Sequence, residues 1–152
     1  MVNVLFVCTG DTCRSTMASA LLKHVIKTKN IKNISCSSAG LFVNAPSTMN
    51  PTAKSVLKKM GISIPRHKST QLTPELLNKY NYVITMTQSH KFSILNKFPT
   101  LNNVRAINEV LGVDEIDDPY GKSEAVYYNV ARKLAIAVDN LVKIIKERGE
   151  LW

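Results

Sequence analysis

Cysteine, tryptophan and acidic residues are all scarce in this chain: three cysteines and one tryptophan stand among 152 residues, and 11 Asp and Glu face 20 Lys and Arg. The odd set Cys8, Cys13 and Cys36 gives no disulfide framework. His24, His67 and His90 are spread along the chain without metal-ligand spacing, so zinc binding is not expected and no metal or cofactor is required. No apolar run approaches the ~18 residues of a membrane span, and the N-terminal run is too short for a secretory h-region followed by a cleavage site. These absences point to a cytoplasmic protein without a membrane partner, in a reducing compartment that leaves thiols free. There is also no repeat, low-complexity tract or interdomain linker. A length of 152 residues at 45% apolar composition suits one domain over 1–152 with a respectable core.

The net charge of +9 raises the question of nucleic acid. Lys54, Lys58, Lys59, Lys143 and Lys146 are scattered over helical segments without interleaved aromatics or a nucleic-acid motif, so a solvated basic surface is the simpler account. Attraction toward phosphorylated or acidic proteins is compatible with it.

The most informative segment is Val7-Cys8-Thr9-Gly10-Asp11-Thr12-Cys13-Arg14-Ser15, which follows an apolar run, Val2–Val7, that reads as a buried strand. Between Cys8 and Arg14 a tightly curled loop can turn successive N–H groups inward, a nest for an anion over the first turn of the following helix. The same donors favour a thiolate at Cys8. Arg14 supplies a planar fork for two phosphoryl oxygens, which lysine cannot offer. The hydroxyl of Ser15 can donate to the sulfur. Thr9, Gly10, Asp11, Thr12 and Cys13 complete the phosphate-binding loop. A bare cysteine and arginine at this spacing arise often by chance; nine residues in this order between a strand and a helix are far more specific.

Strands and helices alternate along the chain. Expected strands are Val2–Val7, Ile31–Ser37, Tyr82–Met86 and Val104–Ile107; expected helices are Thr16–Lys29, Asn50–Met60 with Pro51 early, Thr73–Lys79 capped by Thr73, and Ser89–Phe98. Val126, Val130, Leu134, Val138, Leu141 and Ile145 form a long apolar stripe at helical spacing, which is core packing. The pattern predicts an α/β fold, a four-stranded parallel sheet flanked by helices on both faces, with ligands at the carboxyl ends of the strands, where Cys8 lies. Near the C-terminal end of this alternation, Asp117 and Asp118 precede Pro119. A carboxyl held over the loop can protonate a leaving group and then help water attack a phosphocysteine, but spacing alone does not choose between the two.

The segment VCTGDTCRS resembles the phosphate loop of the low-molecular-weight protein tyrosine phosphatases. Ser38-Ala39-Gly40 after the second strand, His67 in Ile64-Pro65-Arg66-His67-Lys68-Ser69, and Asp118-Pro119-Tyr120-Gly121 before the last helix match the same family in order, over essentially the whole chain. The resemblance implies that family's fold and a metal-free double displacement. Cys8 attacks phosphorus, Arg14 and the loop amides hold the developing charge, and Asp118, the aspartate directly before proline, protonates the leaving atom. Phosphorylated protein substrates are the implied partners.

The resemblance also bears on specificity. Thr12 stands where tyrosine-directed members commonly carry isoleucine and bacterial protein arginine phosphatases carry threonine. An apolar side chain there packs on a phenyl ring, whereas a hydroxyl holds a guanidinium or an attacking water. Thr12 thus tilts the expectation toward phosphoarginine, with phosphotyrosine close behind. Phe42 and Tyr120 are candidate aromatic walls. Two alternatives are a noncatalytic phosphate-binding module disabled by Asp11 and a thioredoxin-coupled arsenate reductase; the latter needs two further cysteines, and none follows Cys36. A reversible Cys8–Cys13 disulfide is implied by relatives that carry this cysteine pair.

Three positions depart from the family pattern. Asp11 replaces an asparagine that holds the loop through a network reaching the matches of Ser38 and His67. Aspartate tolerates a left-handed backbone but lacks amide donors, and its charge would oppose a thiolate. A protonated His67 pairing with Asp11 would preserve the loop. Thr16 replaces a common proline and Ser19 a common glutamate, changes that bear on helix capping and stability.

Overall fold

The computed structural model describes residues 1–152. Four strands, β1 (Val2–Cys8), β2 (Ile34–Gly40), β3 (Tyr82–Thr85) and β4 (Val104–Ala106), pair in the order β2-β1-β3-β4, all parallel. The helices are α1 (Arg14–Thr28), α2 (Pro51–Lys59), α3 (Pro74–Lys79), α4 (Gln88–Lys97), α5 (Ile107–Val110) and α6 (Glu124–Arg148). The expected α/β class, with its four parallel strands and flanking helices, is the observed one. No helix is long and apolar enough to cross a membrane.

Two apolar clusters lie on opposite faces of the sheet, because alternate residues of β1 point opposite ways. Val4, Phe6 and Cys8 face the larger cluster with α1, α2 and α6. Leu5 and Val7 face the smaller one with Leu77 and Ile94. On α6, Leu134, Val138 and Leu141 are buried, each worth about 1.5–3 kcal/mol of burial. The stripe is displaced at its start: Val126 is half-buried and Tyr127 is buried instead.

Several boundaries differ from the sequence expectation. The second strand runs Ile34–Gly40 rather than Ile31–Ser37 because α1 ends in a reversal: Asn30 takes a left-handed φ of 52°, and the Ile31 N–H donates back to Ile26 O at 2.9 Å. Ser38-Ala39-Gly40 therefore lies inside the strand, with Gly40 level with Cys8. The expected helix start at Thr16 moves back to Arg14, since the loop passes directly into α1. Ile107 belongs to the short α5, which follows β4 without a break. Asn50 caps α2, accepting from Thr52 N (2.9 Å) and Ala53 N (3.1 Å), and Thr73 caps α3 as expected, accepting from Leu76 N at 3.2 Å.

Candidate active site

The loop from Thr9 to Cys13 leaves β1 at its carboxyl end, and its carbonyls are tied down from outside. Leu41 N–H donates to Cys8 O (3.0 Å), Phe42 N–H to Thr9 O (2.9 Å), Asn50 N–H to Thr12 O (2.9 Å), and His67 Nε2 to Asp11 O (2.7 Å). A planar trans peptide carries its N–H opposite its C=O, so each tied carbonyl turns the next N–H toward the inside of the curl. That orientation suits the expected nest, and the loop is held by the residues just after β2, by α2's cap and by His67.

Gly40 makes the close approach of β2 possible. A Cβ there would meet Thr9 O at 2.8 Å and Asp11 N at 3.0 Å, so any side chain would push the loop out of shape. Asp11 itself takes a left-handed φ of 55°, which aspartate tolerates.

Cys8, Thr9, Gly10, Thr12, Cys13, Arg14, Asp118 and Tyr120 line one cavity of about 200 Å³. Cys8 Sγ lies 2.9 Å from Ser15 Oγ. Arg14 is 5% exposed, and its guanidinium donates to Ile116 O (2.9 Å) and Thr9 Oγ1 (3.4 Å), with Asp118 Oδ2 at 3.9 Å. The fork is thereby fixed from both sides before any ligand arrives. Both Asp117 and Asp118 are exposed, but only Asp118 lines the cavity, and the Tyr120 N–H donates to Asp118 Oδ1 at 3.1 Å. Gly121, at φ 76°, completes that turn in a conformation that favours glycine.

Not every candidate residue sits in the cavity. Tyr120, 73% exposed, forms part of its rim; Phe42, 70% exposed, lies beside the loop in a separate groove with Leu41, Leu72 and Phe98. Ser38 and His67 stand behind the loop, against Asp11. His67 makes its short bond to the main-chain carbonyl of Asp11, while the Asp11 carboxyl is 3.7 Å from Nε2. Cys8, Cys13 and Cys36 are free thiols. Burial pushes the thiols of Cys13 and Cys36 up, which opposes a second reactive thiolate in this region.

The buried carboxyl of Asp11 is fully enclosed, and burial raises its pKa. Opposing that rise are hydrogen bonds from Ser38, Ser15 (Oγ to Oδ1, 2.7 Å) and the Thr70 N–H (to Oδ2, 3.0 Å), and the charge of His67.

His90 is a site residue that sequence reasoning missed. Thr87 caps α4, accepting from His90 N–H at 3.2 Å, and also faces Nδ1 at 3.0 Å; Nε2 faces Thr9 Oγ1 at 3.0 Å. Burial, helped by the Arg14 charge and opposed by Asp118, lowers the pKa of this ring to about 4. The pattern fits a neutral ring that accepts at Nδ1 from Thr87 and donates at Nε2 to Thr9, so that Thr9 is held against the Arg14 fork.

Among known proteins, the family described as "Low molecular weight phosphotyrosine protein phosphatase" matches residues 3–151. A protein-arginine-phosphatase of Geobacillus stearothermophilus is 37% identical over 93% of this chain and 94% of its own length. A probable low molecular weight protein-tyrosine-phosphatase of Ralstonia solanacearum is 31% identical over 97% and 98%. Among solved structures, an arginine phosphatase mutant with a phosphorylated active-site serine superposes with a TM-score of 0.90 at 32% identity, covering 99% of this chain and 100% of that one.

Proposed function

The chain belongs to the low-molecular-weight phosphotyrosine protein phosphatase family, and from that premise we propose that it hydrolyses phosphoarginine, with phosphotyrosine second, in phosphorylated proteins of the cytoplasm. The domain is the whole of 1–152. In this reading Cys8 attacks phosphorus in line and the loop N–H groups and Arg14 hold three equatorial oxygens. Asp118 protonates the leaving nitrogen or oxygen, then takes a proton from the water that attacks the phosphocysteine. Each displacement balances: the sulfur–phosphorus bond forms as the leaving bond breaks, and breaks as the water oxygen bonds phosphorus, releasing phosphate and the thiolate.

The observation that carries this reading is the convergence of Cys8, the buried and doubly anchored Arg14 and Asp118 on one small cavity at a strand's carboxyl end. The lean toward phosphoarginine rests on Thr12, half-buried in that cavity wall, where a hydroxyl meets the leaving group, and on the arginine phosphatases among the relatives. Asp11 is bonded into the loop's support by Ser15 and the Thr70 N–H, which favours an enzyme over a disabled binding module. Turnover of para-nitrophenyl phosphate, followed by phosphoarginine and phosphotyrosine peptides, tests it. Phosphate binding without turnover would instead support the noncatalytic module.

A further inference from the structure

Two contacts in the loop share a single hydroxyl. Ser15 Oγ lies 2.9 Å from Cys8 Sγ and 2.7 Å from Asp11 Oδ1, and serine brings one hydrogen to the two. Both contacts are hydrogen bonds only if a second hydrogen sits at one end, on the sulfur or on the carboxyl. With both ends ionised, one anion faces a lone pair of the serine oxygen, inside a site where Asp11 and Ser15 are fully buried and Cys8 is 3% exposed. That arrangement is strongly disfavoured.

We infer that Asp11, Ser15 and Cys8 form a relay holding one mobile proton at neutral pH, and that the chain is reactive when this proton rests on Asp11. The inference rests on the reading of Cys8 as nucleophile. In one form, Cys8 S–H donates to Ser15, which donates to the Asp11 carboxylate. In the other, Asp11 Oδ1–H donates to Ser15, and Ser15 donates to the thiolate. They interconvert when Asp11 Oδ1 gives its proton to Ser15 Oγ as Ser15 gives its own to Cys8 Sγ, or the reverse. The net charge stays at minus one, and no outside donor is needed.

The surroundings keep both forms within reach: hydrogen bonds from Ser38 and the Thr70 N–H and the charge of His67 favour a charged Asp11, and burial opposes them. Asp11 Oδ2 accepts from the Thr70 N–H at 3.0 Å, so it is the carbonyl-like oxygen and leaves Oδ1 to carry hydrogen toward Ser15. Burial disfavours charge on this carboxyl. At the other end the sulfur of Cys8 shares its cavity with Arg14. The remaining titratable groups facing the relay are His67 on the loop before α3, Cys13 at the start of α1, Asp118 before α6 and His90 on α4. Lys23, Arg66 and Lys68 line the adjoining solvent cleft behind the loop. A neutral Asp11 then does what the family's asparagine does, but as a positioning residue that can lose its proton.

Two measurements independent of turnover test the relay. In native protein the rate of iodoacetamide alkylation at Cys8 should rise in two steps more than about 1 pH unit apart. Asp11→Asn, whose amide cannot ionise, should show one step, with faster alkylation at neutral pH. Infrared spectra of the native chain should show a carboxylic-acid stretch at neutral pH that bleaches through the second step and is missing in Asp11→Asn. No such band in the native chain, or a single step superimposable on that of Asp11→Asn, would overturn the relay, and the native band can be sought whether or not the variant folds. If the band and both steps are present while para-nitrophenyl phosphate is not turned over, the relay stands and the proposed activity falls. If para-nitrophenyl phosphate is turned over and the band is missing, the activity stands and the relay falls.

Discussion

Replacing His90 with glutamine separates its packing from its titration. The ring is 6% exposed, and its pKa is lowered from 6.5 to about 4, first by burial and then by the Arg14 charge. A histidine with a depressed folded pKa contributes stability above its unfolded value and loses it as pH falls toward the folded one, because the unfolded chain binds the proton first. A gap of about 2.5 pH units at about 1.4 kcal/mol each is on the order of 3 kcal/mol. Urea unfolding of native protein and His90→Gln at about pH 7 and about pH 4.5 should show the native chain losing roughly 2 kcal/mol more than the variant on acidification. Groups common to both chains cancel in that difference. The variant should also carry a pH-independent cost for the lost Thr9 and Thr87 contacts, about 1 kcal/mol each. Parallel pH dependences in the two chains would refute a buried neutral ring at position 90.

Arg14→Lys replaces a fixed fork by a point charge. It should lower kcat for para-nitrophenyl phosphate by about 10²–10³-fold, measured by steady-state kinetics. Asp118→Asn should cost about 10²–10⁴-fold with a phosphopeptide whose leaving group needs a proton, and clearly less with para-nitrophenyl phosphate, whose phenolate leaves unaided; equal losses would remove Asp118 as the acid. Thr12→Ile should lower the ratio of phosphoarginine to phosphotyrosine kcat/KM, and an unmoved ratio would mean that Thr12 does not discriminate between them.

How much of this was legible in the sequence varies from residue to residue. The loop was legible because its chemistry is local: Cys8, Arg14 and Ser15 lie within one strand-to-helix connection, and the alternation of strands and helices placed it at a strand end. What fixes the loop was not, because it comes from far along the chain. The Leu41 and Phe42 N–H groups, Asn50 and His67 approach from the segment after β2, the start of α2 and a connecting loop, and only the resemblance links Ser38 and His67 to this place. That Asp118 rather than Asp117 lines the cavity likewise depends on the turn before α6, which spacing does not give. His90 was invisible because its partner Thr9 is 81 residues away and a lone histidine on a helix has no pattern of its own. The late start of β2 came from Asn30, whose left-handed cap ended α1 and consumed residues that look like strand by hydropathy. Tyr127 displaced Val126 from the stripe because an aromatic ring reaching toward Cys13 fills the space at the start of α6, with its hydroxyl 3.8 Å from that sulfur.

Rapid quenching of the chain with radiolabelled phosphosubstrate, followed by peptide mapping, tests the central claim most directly. The expected result is a transient phosphoryl group on the peptide that begins in β1, attached through Cys8 sulfur and accumulating in Asp118→Asn, while Cys8→Ser fails to turn over. Label on another residue, or full turnover by Cys8→Ser, would contradict the account.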